Sequence, residues 1–131
     1  MPSYTVDPIR MFETPTGSWP LLSIAASMGV GANTQILAGI PAASGIAAKS
    51  IRVMGWTAIG QAGAGLFLFL DGSGGTVIHN RIGFPALAGG INDKQPIVEC
   101  GYCQTTAGTG LFCTVEVAAV YLTVYYIAYI P

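Results

Sequence analysis

Charge is scarce in this chain of 131 residues. Five Lys or Arg and six Asp or Glu make up 8% of it and leave a formal net charge of −1. Ordinary soluble proteins carry roughly 25% charged residues, and a freely soluble monomer uses them to cover its surface. So little charge implies that other protein chains bury much of this surface. The near balance of signs leaves no basic footprint for nucleic acid or for an anionic membrane.

Histidine is scarcer still, with His79 alone. Metal-dependent cupin-like sandwiches need two or three His and a Glu converging on the ion, which a single His cannot supply. A Ser-His-Asp triad needs an orienting acid. The nearest acid in sequence is Asp71, which an Asp-Gly turn explains fully. His79, beside Asn80 and Arg81, reads as a surface or interface residue at a strand end. Glu99 and Glu116 are expected on strands, where a neighbouring pair across a hairpin would raise one pKa. Interstrand surface carboxylates are much commoner than catalytic pairs.

Three cysteines are present. Cys100 and Cys103 have the C-x-x-C spacing of redox proteins, but there the first Cys opens a helix that lowers its pKa. Here "CGYC" lies in a strand pattern followed by the loop "QTTAGTG". A zinc site from Cys100, Cys103, Cys113 and His79 has the ligand count but no familiar spacing. Buried thiols acting as small hydrophobes are the plain reading. "GVGANTQ" and "GQAGAG" lack the Lys-Ser/Thr of a phosphate-binding P-loop and read as turns. No catalytic, metal or cofactor site is expected.

Long apolar runs are missing as well. The stretch from Thr14 to Ala48 has no charge, but Pro15, Pro20, Pro41 and several Gly and Ser break it. The tail from Val117 to Ile130 is apolar but too short for the roughly 18–20 residues of a membrane helix. Its Val, Tyr, Thr and Ile favour strands. The N-terminus has no basic segment ahead of an apolar one. A soluble protein made in the cytoplasm is the expectation.

What the chain has in quantity is apolar residues, 52%, and 18 Gly. "GLFLFLDGSGG" shows how they are used: consecutive apolar residues, then a turn on Asp and Gly. This pattern predicts a strand buried on both faces over 65–71, one face on the core and the other on a second layer or a neighbouring subunit. Further strands are expected at 34–40, 50–59, 75–80, 96–103, 110–118 and 119–129. In the second of these Ile51, Val53, Thr57 and Ile59 alternate with Arg52, Met54 and Trp56. Residues 21–28 read as one or two helical turns. Seven or eight short strands with turns every eight to twelve residues imply an all-β sandwich or barrel. Residues 1–20, with their prolines, read as an extended arm.

The run from "TQILAGIPAASGIAAKSIRVMGWTAIGQAGAGLFLFLDGSGG" through "RIGFPALAGG" to "TTAGTGLFCTVEVAAVYLTVYYIAYIP" resembles the small jelly-roll sandwiches of tailed phages. The resemblance lies in K-x-IRV-x-G, a strand ending in DG, a later G-x-GL and a final valine-rich strand pair, over about residues 33–131. The arm and the three cysteines are not part of that pattern. In that group the domain serves as a capsid decoration or cement protein, a head fibre or another virion part, commonly as a trimer.

The fold expected is therefore a single jelly-roll-like antiparallel β-sandwich over 21–131, preceded by an extended N-terminal arm over 1–20. The function expected is architectural and not enzymatic: a homotrimeric subunit on the phage head that stabilises it through contacts with the major capsid protein. The alternative is a head-fibre or tail-associated module binding a receptor or glycan, whose exposed tip loops would carry aromatic and Asn/Asp residues; loop 89–95 is polar but carries no aromatics. Interface residues expected are Met11, Phe12 and Trp19 of the arm, binding a neighbour rather than the domain's own core, and Tyr121, Tyr125 and Ile127 of the last strand. Strands 96–103 and 110–118 are expected to form a hairpin with Cys100 opposite Cys113. Disulfides are rare in a reducing cytoplasm, so thiols in contact without a bond are expected there.

Overall fold

The computed structural model describes residues 10–87 and 93–131, with backbone alone at 93 and 94. Among the described residues there are eleven strands: β1 Met11–Thr14, β2 Gly17–Pro20, β3 Leu22–Met28, β4 Gly31–Leu37, β5 Ser50–Gly60, β6 Gly65–Asp71, β7 Val77–Phe84, β8 Asp93–Gln95, β9 Cys103–Gln104, β10 Leu111–Glu116 and β11 Val120–Tyr129. One sheet has the order β4-β10-β6-β7. The other has the order β3-β11-β5-β8, with β9 also on β5, and β1 and β2 form a separate hairpin.

The pairings are nested. β6 pairs β7, β5 pairs β8 and β9, β4 pairs β10, and β3 pairs β11, all antiparallel. A long antiparallel ribbon, doubled back on itself and wrapped, lays its strands alternately into two sheets in this way. The fold is thus an all-β, jelly-roll-like sandwich.

Alternation supplies the layer between the sheets. On β10, Leu111, Cys113 and Val115 point inward, and on β11, Val120, Leu122 and Val124 do. Phe67 and Phe69 of β6 meet Trp56 of β5 edge-on, with ring centroids 6.2 and 5.6 Å apart, a geometry aromatic pairs favour. The other face of β6 is also buried. In register, Leu70 lies between Phe112 of β10 and Val77 of β7, and Leu68 lies beside Thr114. The strand then turns through Gly72 and Gly74 at φ of 83° and 64°, values that glycine adopts without strain. Asp71 braces this turn. Its carboxylate accepts from the Thr106 backbone N–H at 2.9 Å and from the Thr106 hydroxyl at 2.5 Å.

Four expectations need correcting. The alternation in β5 breaks: Ile51, Val53, Trp56 and Ala58 all face the core. Tyr125 pairs with Gly55 and Tyr126 with Val53, so Met54 is an extra residue in a β-bulge. Residues 22–28 are strand, not helix, because seven consecutive positions pair with β11. The described part of the arm, residues 10–20, is a hairpin lying on the sandwich rather than an extended segment; its remainder, residues 1–9, lies outside the described residues. The 96–103/110–118 hairpin does not form: Cys103 pairs with Val53 in one sheet, and Cys113 with Phe69 in the other. The connection between them is latched instead to β5, where Ile51 donates to the Thr105 hydroxyl at 3.0 Å and accepts from the Thr105 N–H at 2.9 Å.

Candidate interaction surface

Met54, the extra residue of the β5 bulge, lies on the outer face of the five-stranded sheet, and regular alternation along β11 turns Ile127 and Tyr129 the same way. There they form a second, smaller core with Phe12, flanked by Trp19, Leu21 and Ile97. The β1–β2 hairpin is its lid. Leu21 N–H donates to Arg10 C=O at 2.8 Å, the Thr16 hydroxyl donates to Ile130 C=O, and Trp19 Nε1 donates to Thr14 Oγ1 at 2.9 Å. Cations pack over the rings: Lys49 Nζ lies 5.2 Å from the Trp19 ring and the Arg52 guanidinium 4.4 Å from the Tyr129 ring. Arg52 also donates to Gln104 Oε1 and to the Tyr129 hydroxyl.

This placement divides the six expected interface residues. Phe12 and Ile127 are spent inside the chain, 5% and 0% exposed, and contact each other's cluster. Trp19 is half-buried in the same place. These three serve the domain's own core, because Met54, Ile127 and Tyr129 present an apolar floor that the hairpin covers. Met11 and Tyr121 are 48% exposed each, and Tyr125 is half-buried.

Tyr121 borders a shallow groove of about 400 Å³ on the outer face of β3, β11 and β5, lined also by Ala25, Ser27, Thr57, Ile59 and Thr123. Charge is missing from its walls, and the side chains on β3 are small. Beside it, the charge-free stretch from Thr14 to Ala48 builds one flank of the sandwich from β3, β4 and the connection at 38–48. On that flank Val30 and Ile46 are about 60% exposed. At the turn between β10 and β11, Val117 is 76% exposed and held at φ 77°, a conformation rare for a β-branched residue.

The chemistry-bearing side chains of the described residues do not converge. Among the described residues, no group of three or more His, Cys, Asp or Glu is placed to hold a metal ion. Cys100 is exposed in a turn, Cys103 is half-buried and Cys113 is fully buried, and all three are free. Burial pushes the Cys103 and Cys113 thiols up to about 12, opposite in direction to a reactive thiolate. His79 lies within β7, not at a strand end, and is half-buried on the rim of the aromatic core, 5.2 Å from the Trp56 ring. Glu116 is not beside Glu99. It accepts from Arg81 at 2.8 Å, and that hydrogen bond holds its carboxyl below the ordinary range. Glu99 instead borders a small recess with Met11, Phe12 and Glu13. Loop residues 88–92 lie outside the described residues. Among the described residues, no helix is long and apolar enough to cross a membrane.

Sequence reasoning missed the second core. Its signal was the pair Met54-Gly55 in the middle of a strand, since glycine inside a strand pattern marks a bulge or a close backbone approach. Compared with protein-family models and with curated proteins, the chain matches none.

Proposed function

We propose that this chain is an architectural virion protein, a decoration or cement subunit that assembles with copies of itself and binds the major capsid protein of a phage head. The observation that carries the reading is the uncharged flank of β3, β4 and residues 38–48, bearing Val30 and Ile46. A domain with eleven charged side chains gains by covering such a flank, at about 25 cal/mol per Å² of apolar surface. The jelly-roll-like sandwich and the resemblance of residues 33–131 to phage virion domains support the same role. No chemistry enters the mechanism: stabilisation of the head is the burial of surface at contacts between subunits. A trimer is the assembly the resemblance implies.

The test is decoration of heads. Purified protein is mixed with heads of the encoding phage that lack it, and bound protein is read by co-sedimentation and by imaging of the particles. Saturable binding at a fixed number of copies per head is expected, with a raised temperature of head disruption. Heads that neither bind the protein nor gain stability overturn the reading.

A further inference from the structure

An open sheet edge is a template for another strand, and proteins usually blunt it. Most of the edges described here are blunted. β4 slips register twice against β10 and carries Asn33 at φ 55°. β7 slips twice against β6 and carries Arg81. β8 and β9 are three and two residues long. In the hairpin, β1 carries Glu13 and β2 ends on Pro20.

β3 has none of these devices. Its seven residues, LSIAASM, contain no charge and no proline. It pairs with β11 from Met28–Val120 to Leu22–Tyr126 without a bulge. Among the described residues nothing pairs with its other edge. Its outward side chains, Ser23, Ala25 and Ser27, are exposed and small, so they offer an approaching strand no obstacle.

We propose that β3 is a self-association edge that pairs antiparallel with β3 of a second copy. The strand suits itself. With Ala25 on the two-fold axis, Ser23 faces Ser27 of the other copy, Ile24 faces Ala26 and Leu22 faces Met28. Half-exposed Leu22 is thereby covered. No charge opposes a charge, and a chain of net charge −1 barely repels its copy. The two five-stranded sheets become continuous, and the grooves beside Tyr121 become neighbours. Backbone hydrogen bonds supply the affinity, as in other strand additions. The contact is isologous and closes after two copies. A threefold ring built on another surface would be joined by it to a second ring, making six chains.

The proposal extends the self-association in the proposed function, and it is read in purified protein, so its outcome is separate from particle binding. Sedimentation equilibrium at micromolar concentration should give two or six chains. Ala25→Lys places two ammonium groups opposite each other at an exposed position. The mass should halve, to one or three chains, with the circular dichroism of a folded sheet retained. Ala25→Glu should do the same, and an equimolar mixture of the two variants should restore the wild-type mass. If Ala25→Lys does not fold, the double variant Ser23→Lys, Ser27→Lys serves in its place, since the same register sets its ammonium groups opposite each other in two pairs. A wild-type mass of one or three chains overturns the pairing, as does a folded lysine variant with undiminished mass. Failure of the mixture to recover mass overturns the Ala25-centred register.

Discussion

Val53 and Trp56 stand three positions apart in one strand, yet both point into the same core, 0% and 1% exposed. A regular strand would put them on opposite faces. Met54 is the extra residue between them, and the second core exists because of it. The bulge thus decides how this molecule divides its apolar residues: Val53 and Trp56 serve the sandwich, and Met54 anchors the hairpin.

Gly55 is what lets the bulge close. A Cβ there would stand 2.8 Å from the Gln95 carbonyl oxygen and 3.3 Å from Ile97 Cγ1. Backbone does not yield as a long side chain would. Gly55→Ala should therefore cost about 1–3 kcal/mol, the usual range for overpacking, read as a lowered denaturant midpoint with unchanged slope. Gly83→Ala is the control, since its Cβ would meet only Leu66 Cδ2 at 3.8 Å. It should cost far less.

Much of the fold was legible in the sequence, and the remainder shows what local pattern cannot encode. β6 appears where GLFLFLD predicts it, because an unbroken apolar run ended by Asp-Gly leaves little choice. β5 and β11 also appear within a residue of expectation. β3 was ambiguous because Leu, Ala and Met also suit helices, and only pairing with β11, about 100 positions along the chain, settles it as strand. The Cys100–Cys113 register failed for a related reason. Sequence neighbours in a wrapped ribbon fall into opposite sheets, and nothing local distinguishes a hairpin from a crossover. Of the interface residues, Tyr121 and Met11 keep exposed surface, whereas Phe12 and Ile127 are covered within the chain, because the β1–β2 hairpin folds back over the outer face of β5 and β11, a long-range contact that no local pattern in residues 1–20 announces.

The hairpin should matter to the fold itself. Phe12 is buried against Met54, Ile127 and Tyr129, so Phe12→Ala should destabilise by about 3 kcal/mol, near the low end for large aromatic truncations in a core. Deleting residues 1–20 should be worse, since it uncovers that apolar floor. The expected readout is a lowered thermal midpoint for Phe12→Ala and, for the truncated chain, self-association or insolubility on expression. A truncated chain with wild-type stability would mean that the hairpin belongs to a partner's surface after all.

Cys113 makes stability depend on alkaline pH in a defined sense. The thiol is fully buried between the sheets, and burial raises its pKa from 9.0 to about 12. In the unfolded chain the thiol ionises from about 9 upward, while in the folded chain it stays protonated until about 12. A group whose folded pKa is the higher contributes its full stability below the unfolded value and loses it as pH rises toward the folded one. The denaturant midpoint should therefore be insensitive to this group below pH 8 and should fall from pH 9 through the highest pH at which unfolding remains reversible. Cys113→Val keeps an apolar group of similar size and should make that fall shallower, leaving the contribution of Cys103, whose thiol burial also pushes up to about 12. The same burial sets reactivity. In the native protein an alkylating reagent should modify exposed Cys100 first, and Cys113 only at the rate of unfolding. Equal alkaline slopes for wild type and Cys113→Val, or rapid native alkylation of Cys113, would show that the space between the sheets is open to water.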